Sequence, residues 1–340
     1  TVSVEDLAGN TASTTVTVNL DKTAPILTSS LSAPANAAGW HNADVTVSYS
    51  CSDSLSGVAA CVAAQLVQSE GISQPVTASV ADLAGNVATV TDTISLDKTA
   101  PTIAPSYTSA ANVNGWHNED VTVSFLCADN LSSVASCSES ELVAVEGADQ
   151  AINGEATDLA GNTAIVALSV SLDKTPPILA STLSIPANPN GWHMADVTVS
   201  YQCSDGLSGI DSCPLDNIVQ TEGAAQQIIA SVSDLAGNTA QVTDTVSLDK
   251  TAPEIAANPS FPANAAGWHN ADVTVNFVCS DSVDASLVCP APVLLVTEGA
   301  DQLIEGTVED LAGNQAAASL LISLDKTAPV LSVPESLLVV

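Results

Sequence analysis

GWHNADVTVSYSCSDSLSGV, residues 39–58, decides the fold. After Trp40 and His41 it places Val45, Val47 and Tyr49 on alternate positions, with Thr46 and Ser48 between them. A period of two marks a strand with one face in a core. The strand ends at Cys51, and a Ser/Asp/Gly-rich turn leads on to Cys61, ten positions later. The stretch then recurs. Trp40, Trp116, Trp192 and Trp268 are each 76 apart, and so are the pairs Cys51/Cys61, Cys127/Cys137, Cys203/Cys213 and Cys279/Cys289. Two further motifs keep the same register. DLAGN begins at Asp6, Asp82, Asp158, Asp234 and Asp310, and DKT begins at Asp21, Asp97, Asp173, Asp249 and Asp325. One step shared without insertion by three motifs and the cysteines makes the chain a tandem array.

The boundaries fall at DKTAP, written DKTPP at Asp173. Proline stiffens the chain there and cannot donate to a sheet ladder. The expected layout is the end of one repeat at 1–22, full repeats at 23–98, 99–174, 175–250 and 251–326, and the start of another at 327–340. The chain opens inside a repeat and stops early in another, so it reads as a window on a longer array. Secretion signals and anchors are expected outside that window, and residues 337–340 are expected to form an early strand. No apolar run approaches the roughly 20 residues a membrane-spanning helix needs.

Composition excludes several function classes. Of 340 residues, 38 are acidic and 5 are basic, for a net charge of -33. A nucleic-acid binder needs cations for the phosphates, and an anionic membrane surface repels such a chain. The hydrophobic fraction of 46% is that of a globular protein rather than a disordered one.

Within a repeat, a second strand follows DLAGN, as in NVATVTDTISLD, where Val87, Val90 and Ile94 sit among Thr and Ser. Its imperfect alternation points to a bulge. Shorter apolar stretches surround Val58, Leu66, Val76 and Val80, with turn signals between them. Many short strands and no helical spacing predict an all-β array of antiparallel sandwiches. A disulfide across each cysteine pair fastens two neighbouring strands and contributes just under about 3 kcal/mol in the chain-entropy model. Zinc is the weaker reading, since the nearest imidazole lies ten positions upstream and no CxxC occurs. Eight cysteines paired in register imply an oxidising, extracytoplasmic compartment.

Units bearing GWHNADVTVSYSCSDSLSGV, DLAGN and SLDKTAP resemble the bacterial immunoglobulin-like repeats of giant surface proteins and adhesins, and the TPP variant at 174–177 resembles hyalin-type repeats. The resemblance covers the whole chain. It implies an immunoglobulin-like sandwich in every unit and an extended stalk on a cell surface or in a secreted filament. The regular cysteine pair and the Lys after the junction Asp depart from many members of the family.

Calcium is the sharpest chemical expectation. Asp44, Asp53, Asp82 and Asp97 stand at fixed places in the first full repeat, and hard cations take several oxygens, mostly carboxylate and carbonyl. Fifteen positions after the loop Asp82, Asp97 closes the strand at the junction. That strand runs back along the sandwich and brings the domain's end toward its neighbour. Loop and junction aspartates are then placed to share an ion, as in related adhesin arrays. The candidate ligands are Asp6, Asp21, Asp82, Asp97, Asp158, Asp173, Asp234, Asp249, Asp310 and Asp325. The competing reading is that Asp82 and Asn86 only cap a turn.

All five basic residues, Lys22, Lys98, Lys174, Lys250 and Lys326, follow a junction Asp. Each is a candidate salt bridge from the loop Asp to the next domain, which makes a metal unnecessary. A covalent Lys–Asn link is disfavoured by that junction position. The four Trp residues are expected to plug the place where a domain meets its predecessor, in preference to stacking sugars. His41, His117, His193 and His269 lie a full period apart and form no metal site by themselves.

Neither GxSxG, HExxH nor a P-loop occurs, and carboxylates repeated in every unit suit structure better than a catalytic dyad, so no enzyme is expected. The sequon Asn130-Leu131-Ser132 occurs in one repeat only. Three roles follow in order. The first is a structural stalk of an extracellular surface protein, whose partners are neighbouring repeats of the same chain. The second is a self-assembling fibre subunit that pairs with copies of itself. The third is a glycan-binding module built on Trp and His. The residues name no host or surface ligand.

Overall fold

The computed structural model describes residues 1–332, and its regular elements are all strands. The strand expected at 337–340 lies outside the described residues. By contacts the chain divides into two compact units, Thr1–Leu172 and a second that begins at Asp173.

In the first unit, the repeat after Asp97 shows the pattern most fully. Its seven strands are Thr102–Tyr107, Trp116–His117, Val121–Ala128, Val134–Cys137, Glu141–Val143, Gly147–Asp158 and Thr163–Leu172. The first, third and fifth form one antiparallel sheet with Val121–Ala128 in the middle. The fourth, sixth and seventh form the other, and the two-residue Trp116–His117 strand pairs parallel to the seventh. This partition of strands between two sheets is that of the immunoglobulin fold. Val121 and Val123 from one sheet meet Ile152, Val170 and Leu172 from the other, with Phe125 and Leu168 alongside. Alternation decides which side chains enter: along Val121–Ala128, Val121 and Val123 are fully buried. Each such side chain contributes about 1.5–3 kcal/mol by leaving water. The preceding repeat, with a core of Val45, Val47, Val76, Ile94 and Leu96, keeps the same pairings but reduces its second and fourth strands to single bridges, His41 to Leu96 and Val58 to Asp82. The chain begins with a hairpin, Val2–Glu5 on Thr11–Thr14.

The second unit repeats the plan. Ile178–Leu183, Val197–Ser204 and Asn217–Val219 make one sheet, and Trp192–His193, Thr239–Leu248, Gly223–Asp234 and Ile210–Ser212 make the other. The repeat after Asp249 has the same two sheets without the fourth strand.

The bulge expected in the strand after DLAGN sits in its partner. The register shifts between Gly71 and Gln74, Gly147 and Gln150, Gly223 and Gln226, and Gly299 and Gln302. The residue before each glutamine is left-handed: Ser73, Asp149, Ala225 and Asp301 have φ of 48–51°. Its N–H donates to the hydroxyl of Ser95, Ser171, Ser247 or Ser323 at 2.9–3.0 Å. The glutamine amide folds back onto two carbonyls of the turn, as Gln226 does to Thr221 and Gly223. An alanine gains nothing from this conformation and bears the Cβ clash, so Ala225→Gly is expected to stabilise the third full repeat by about 0.5–1 kcal/mol, read from its urea midpoint. An unchanged or lower midpoint contradicts the assignment.

All four disulfides form, Cys51–Cys61, Cys127–Cys137, Cys203–Cys213 and Cys279–Cys289, with Cα–Cα distances of 5.5–5.9 Å. Where the fourth strand exists, as at Val134–Cys137, the link joins the two sheets rather than neighbours in one.

Candidate cation sites at the repeat junctions

Asp97 and Asp249 each come directly after the last strand of a repeat and point their carboxylates into the next. Asp97 donates its N–H to the His41 carbonyl at 2.9 Å and so stays tied to its own repeat. Its carboxylate accepts the N–H of Thr99 at 3.1 Å and of Ser132 at 3.0 Å. Asp129 comes directly after the third strand, and one of its oxygens accepts the N–H groups of Leu131 and Ser133, which closes the loop before the disulfide. Asp158 ends the sixth strand and accepts both the backbone and the side-chain N–H of Asn162 at 2.8 Å. The same Asn162 amide donates to the Asp97 carbonyl at 3.0 Å. DLAGN therefore caps its own turn, as the simpler reading held, and also tethers the preceding junction.

Three aspartates converge as a result. One oxygen from each lies within 4.8 Å of the others in Asp21/Asp53/Asp82, Asp97/Asp129/Asp158, Asp173/Asp205/Asp234 and Asp249/Asp281/Asp310. Asp97, Asp173 and Asp249 are at most 1% exposed. The loop aspartate thus meets the junction aspartate that precedes it in the chain. Asp82 meets Asp21, not the Asp97 that follows it. Asp53, Asp129, Asp205 and Asp281 complete the trios. They were visible as acids two positions after each first Cys, but sequence spacing alone does not show that the loop folds back onto the junction. Asp6 and Asp325 join no such trio among the described residues. Asp6 caps its own turn through Ala8 and Asn10, and Asp325 accepts the Thr327 N–H.

The electrostatics differ between sites. Thr23 and Ser56 hold the Asp21 carboxyl below the ordinary range. Burial pushes Asp82 up, but its bonds to Asn86 outweigh this and leave it low. Burial likewise acts on Asp205 and is overcome by the N–H groups of its loop. Asp249 goes the other way. Burial raises it, the Thr251 N–H offsets part, and Asp281, Asp310 and Glu222 add like charge. The loop there also withholds a donor. Ser132 and Ser208 give their N–H to Asp97 and Asp173, but the equivalent Asp284 donates to Asp281 at 2.7 Å. One oxygen of Asp249 and one of Asp281 are left buried without a hydrogen-bond partner among the described residues. Oxygen-only donors with partnerless buried carboxylate oxygens fit a hard divalent cation. Asp249, Asp281 and Asp310 would hold such an ion, which would supply positive charge to the trio.

Lys98, Lys250 and Lys326 spend their charge within their own repeats. Lys98, Lys250 and Lys326 pair at 2.8 Å with Asp44, Asp196 and Asp272 of their own repeats and also donate to the carbonyls of Gln68, Gln220 and Val296. The expected bridge from Lys98 to Asp82 and the next domain is corrected accordingly. The side chain turns back because an acid, a carbonyl and Glu70, which accepts the Lys98 N–H, lie on its own side. Pairs this exposed contribute little to stability.

The Trp40 and Trp192 loops also need correction: they meet the following repeat, not the preceding one. The Asn36 side chain holds the loop closed by accepting the N–H groups of Ala38 and Trp40, and donates to the Leu159 carbonyl at 2.8 Å. Asn188 donates to Leu311 and Ala312, and Asn190 to Leu311. Trp40 is 7% and Trp192 9% exposed, and Ala160 and Ala312 of the adjoining DLAGN loops are buried; Trp268 is 36% exposed. The four histidines are buried beside the Trp residues. Burial lowers the pKa of His117 and His193, which holds their rings toward the neutral form.

No family model matches the chain, and no curated protein matches it. Among solved structures it is similar to the N-terminal eight Ig domains of Down Syndrome Cell Adhesion Molecule, at 10% identity and a TM-score of 0.37, covering 95% of this chain and 63% of that one. It is also similar to a tetra-tandem repeat in the extending region of a large adhesion protein, at 16% identity and a TM-score of 0.31, covering 88% of this chain and 99% of that one. A third likeness is the human Desmocollin-1 ectodomain, at 12% identity and a TM-score of 0.19, covering 75% and 65%. The chain spans 63% of the length of the first of these structures. The immunoglobulin-type assignment rests on the strand pairing, and by that pairing the chain is an all-β tandem array with one disulfide in each full repeat.

Proposed function

We propose that this chain is a spacer segment of an extracellular surface adhesin or filament of the bacterial kind its repeats resemble, with calcium locking each junction. The observation that carries the reading is the recurrence, at every described junction from Asp21 to Asp249, of one aspartate from the preceding repeat and two from the next. An enzyme's active site has no need of four copies, whereas a stalk needs the same joint each time. The disulfides suit an oxidising exterior. At -33 the chain repels copies of itself, and ions screen that repulsion. The glycan reading loses support because Trp40 and Trp192 are buried against the next repeat. The fibre reading loses support at one edge of the sheet, where Gln65–Val67 is only three residues long, a length that discourages edge pairing.

Small-angle scattering of the oxidised chain, with calcium and then with chelator, tests this. The expected result is a longer maximum dimension and a higher melting temperature with calcium. Equal dimensions and equal melting in both conditions overturn it.

A further inference from the structure

Four core positions change together, and they do so in every second repeat. The first and third full repeats carry Tyr49, Ala78, Asp92 and Ser29, and Tyr201, Ala230, Asp244 and Ser181. The second and fourth carry Phe125, Gly154, Leu168 and Pro105, and Phe277, Gly306, Leu320 and Ala257. The leading segment has the apolar Val16 where Asp92 stands, which continues the alternation. The true period at these sites is therefore two repeats, not one.

The structure shows why the positions are coupled. Phe125 and Leu168 pack on one core, and Phe277 and Leu320 on another. Each Phe ring lies against a glycine: a Cβ on Gly154 or Gly306 would collide with it. In the other class the glycine is a buried alanine, and the aromatic is a tyrosine packed on the core. The aspartate accepts a serine hydroxyl from the opposite sheet, Ser29 to Asp92 at 3.0 Å and Ser181 to Asp244 at 2.9 Å. The second carboxylate oxygen of Asp92 and of Asp244, and the Tyr49 hydroxyl, are buried without a hydrogen-bond partner among the described residues. Burial and the nearby aspartate together raise the pKa of Tyr49 and of Tyr201.

A buried polar atom without a partner weakens the state that buries it, while an apolar replacement of similar shape does not. Phe, Gly and Leu are that replacement, already installed in alternate repeats. We propose that the array alternates compliant and rigid modules, in which the Tyr/Asp repeats open locally before the Phe/Leu repeats on either side. Such a pattern lets a chain lengthen in discrete steps while every compliant module keeps folded neighbours.

Hydrogen exchange read by mass spectrometry on the full oxidised chain tests this. The comparison is between the second and third full repeats, each of which has a full repeat before and after it. The slowest amides of Val197–Ser204 and Thr239–Leu248 are expected to exchange about tenfold or more faster than those of Val121–Ala128 and Thr163–Leu172. The triple variant Tyr201→Phe, Ala230→Gly, Asp244→Leu is expected to slow exchange in the third repeat to the level of the second and to leave the first repeat unchanged. Equal exchange in the second and third repeats of the parent chain, or slower exchange in the third, overturns the proposal.

Discussion

Asp249→Asn is expected to raise the melting temperature of the fourth repeat in chelator above that of the parent chain, and to leave that repeat gaining little from calcium. Both halves follow from one arrangement. Asp249 is 1% exposed, with Asp281 and Asp310 beside it and one oxygen without a partner. Its folded pKa is raised, so the metal-free fourth repeat loses stability as pH rises from the unfolded carboxylate value near 3.9 through the folded one. Above that window the penalty is fully present. Asparagine removes the charge and keeps a carbonyl oxygen for the Thr251 N–H, which the parent holds at 3.0 Å. The rise in chelator is expected to be a few degrees, on a scale where about 1 kcal/mol moves a domain of this size by ~4–8 °C. In the parent, calcium at a hundredfold excess over its dissociation constant adds about 2.7 kcal/mol to whatever repeat binds it. The variant loses that gain at this junction. A structural acid with no ion behind it gives the first effect without the second, so calorimetry in both buffers separates the two.

Removing the disulfide of the fourth repeat by Cys279→Ser with Cys289→Ser is expected to be the most damaging change in the chain. The link closes a short loop, and the chain-entropy model assigns it just under about 3 kcal/mol. At this place the bond carries more than entropy. In the second repeat, Val134–Cys137 is also held by a ladder to Gly147–Asp158. In the fourth repeat no strand forms there, and Asp281 and Asp284 sit in a loop anchored by the bond and by their own turns. The fourth-repeat transition is expected to fall by roughly 10–20 °C. The paired change Cys127→Ser with Cys137→Ser is expected to lower the second repeat by less. Calcium affinity at Asp249/Asp281/Asp310 falls with the loop. An equal loss in both repeats contradicts the role assigned to the missing strand.

Much of this was legible in the residues. The 76-residue step, the strand around Val45 and Val47 and the disulfide partners need only periodicity and counting, because a tandem array writes its own alignment. Contacts between segments far apart in the chain were less legible. Asp82 sits nearer in sequence to Asp97 than to Asp21, yet it meets Asp21, because its loop closes the end of the sandwich where the preceding repeat enters. Lys98 follows a junction acid but turns to Asp44, since the edge of its own sheet offers both an anion and the Gln68 carbonyl. Trp40 and Trp192 are buried where a plug was expected. The direction of the Trp40 loop depends on Asn36 reaching Leu159, which lies 123 positions away. The left-handed bulge at Ser73 is local, but its signature, Gly-x-x-Gln with a serine on the facing strand, is recognisable only once the pairing is seen.

Titration calorimetry of the chelator-stripped, oxidised chain with calcium tests the junction sites most directly. The account predicts four ions per chain, one for each trio headed by Asp21, Asp97, Asp173 and Asp249, and three in Asp249→Asn. A chain that takes up no calcium, or an Asp249→Asn variant that still takes four, contradicts it.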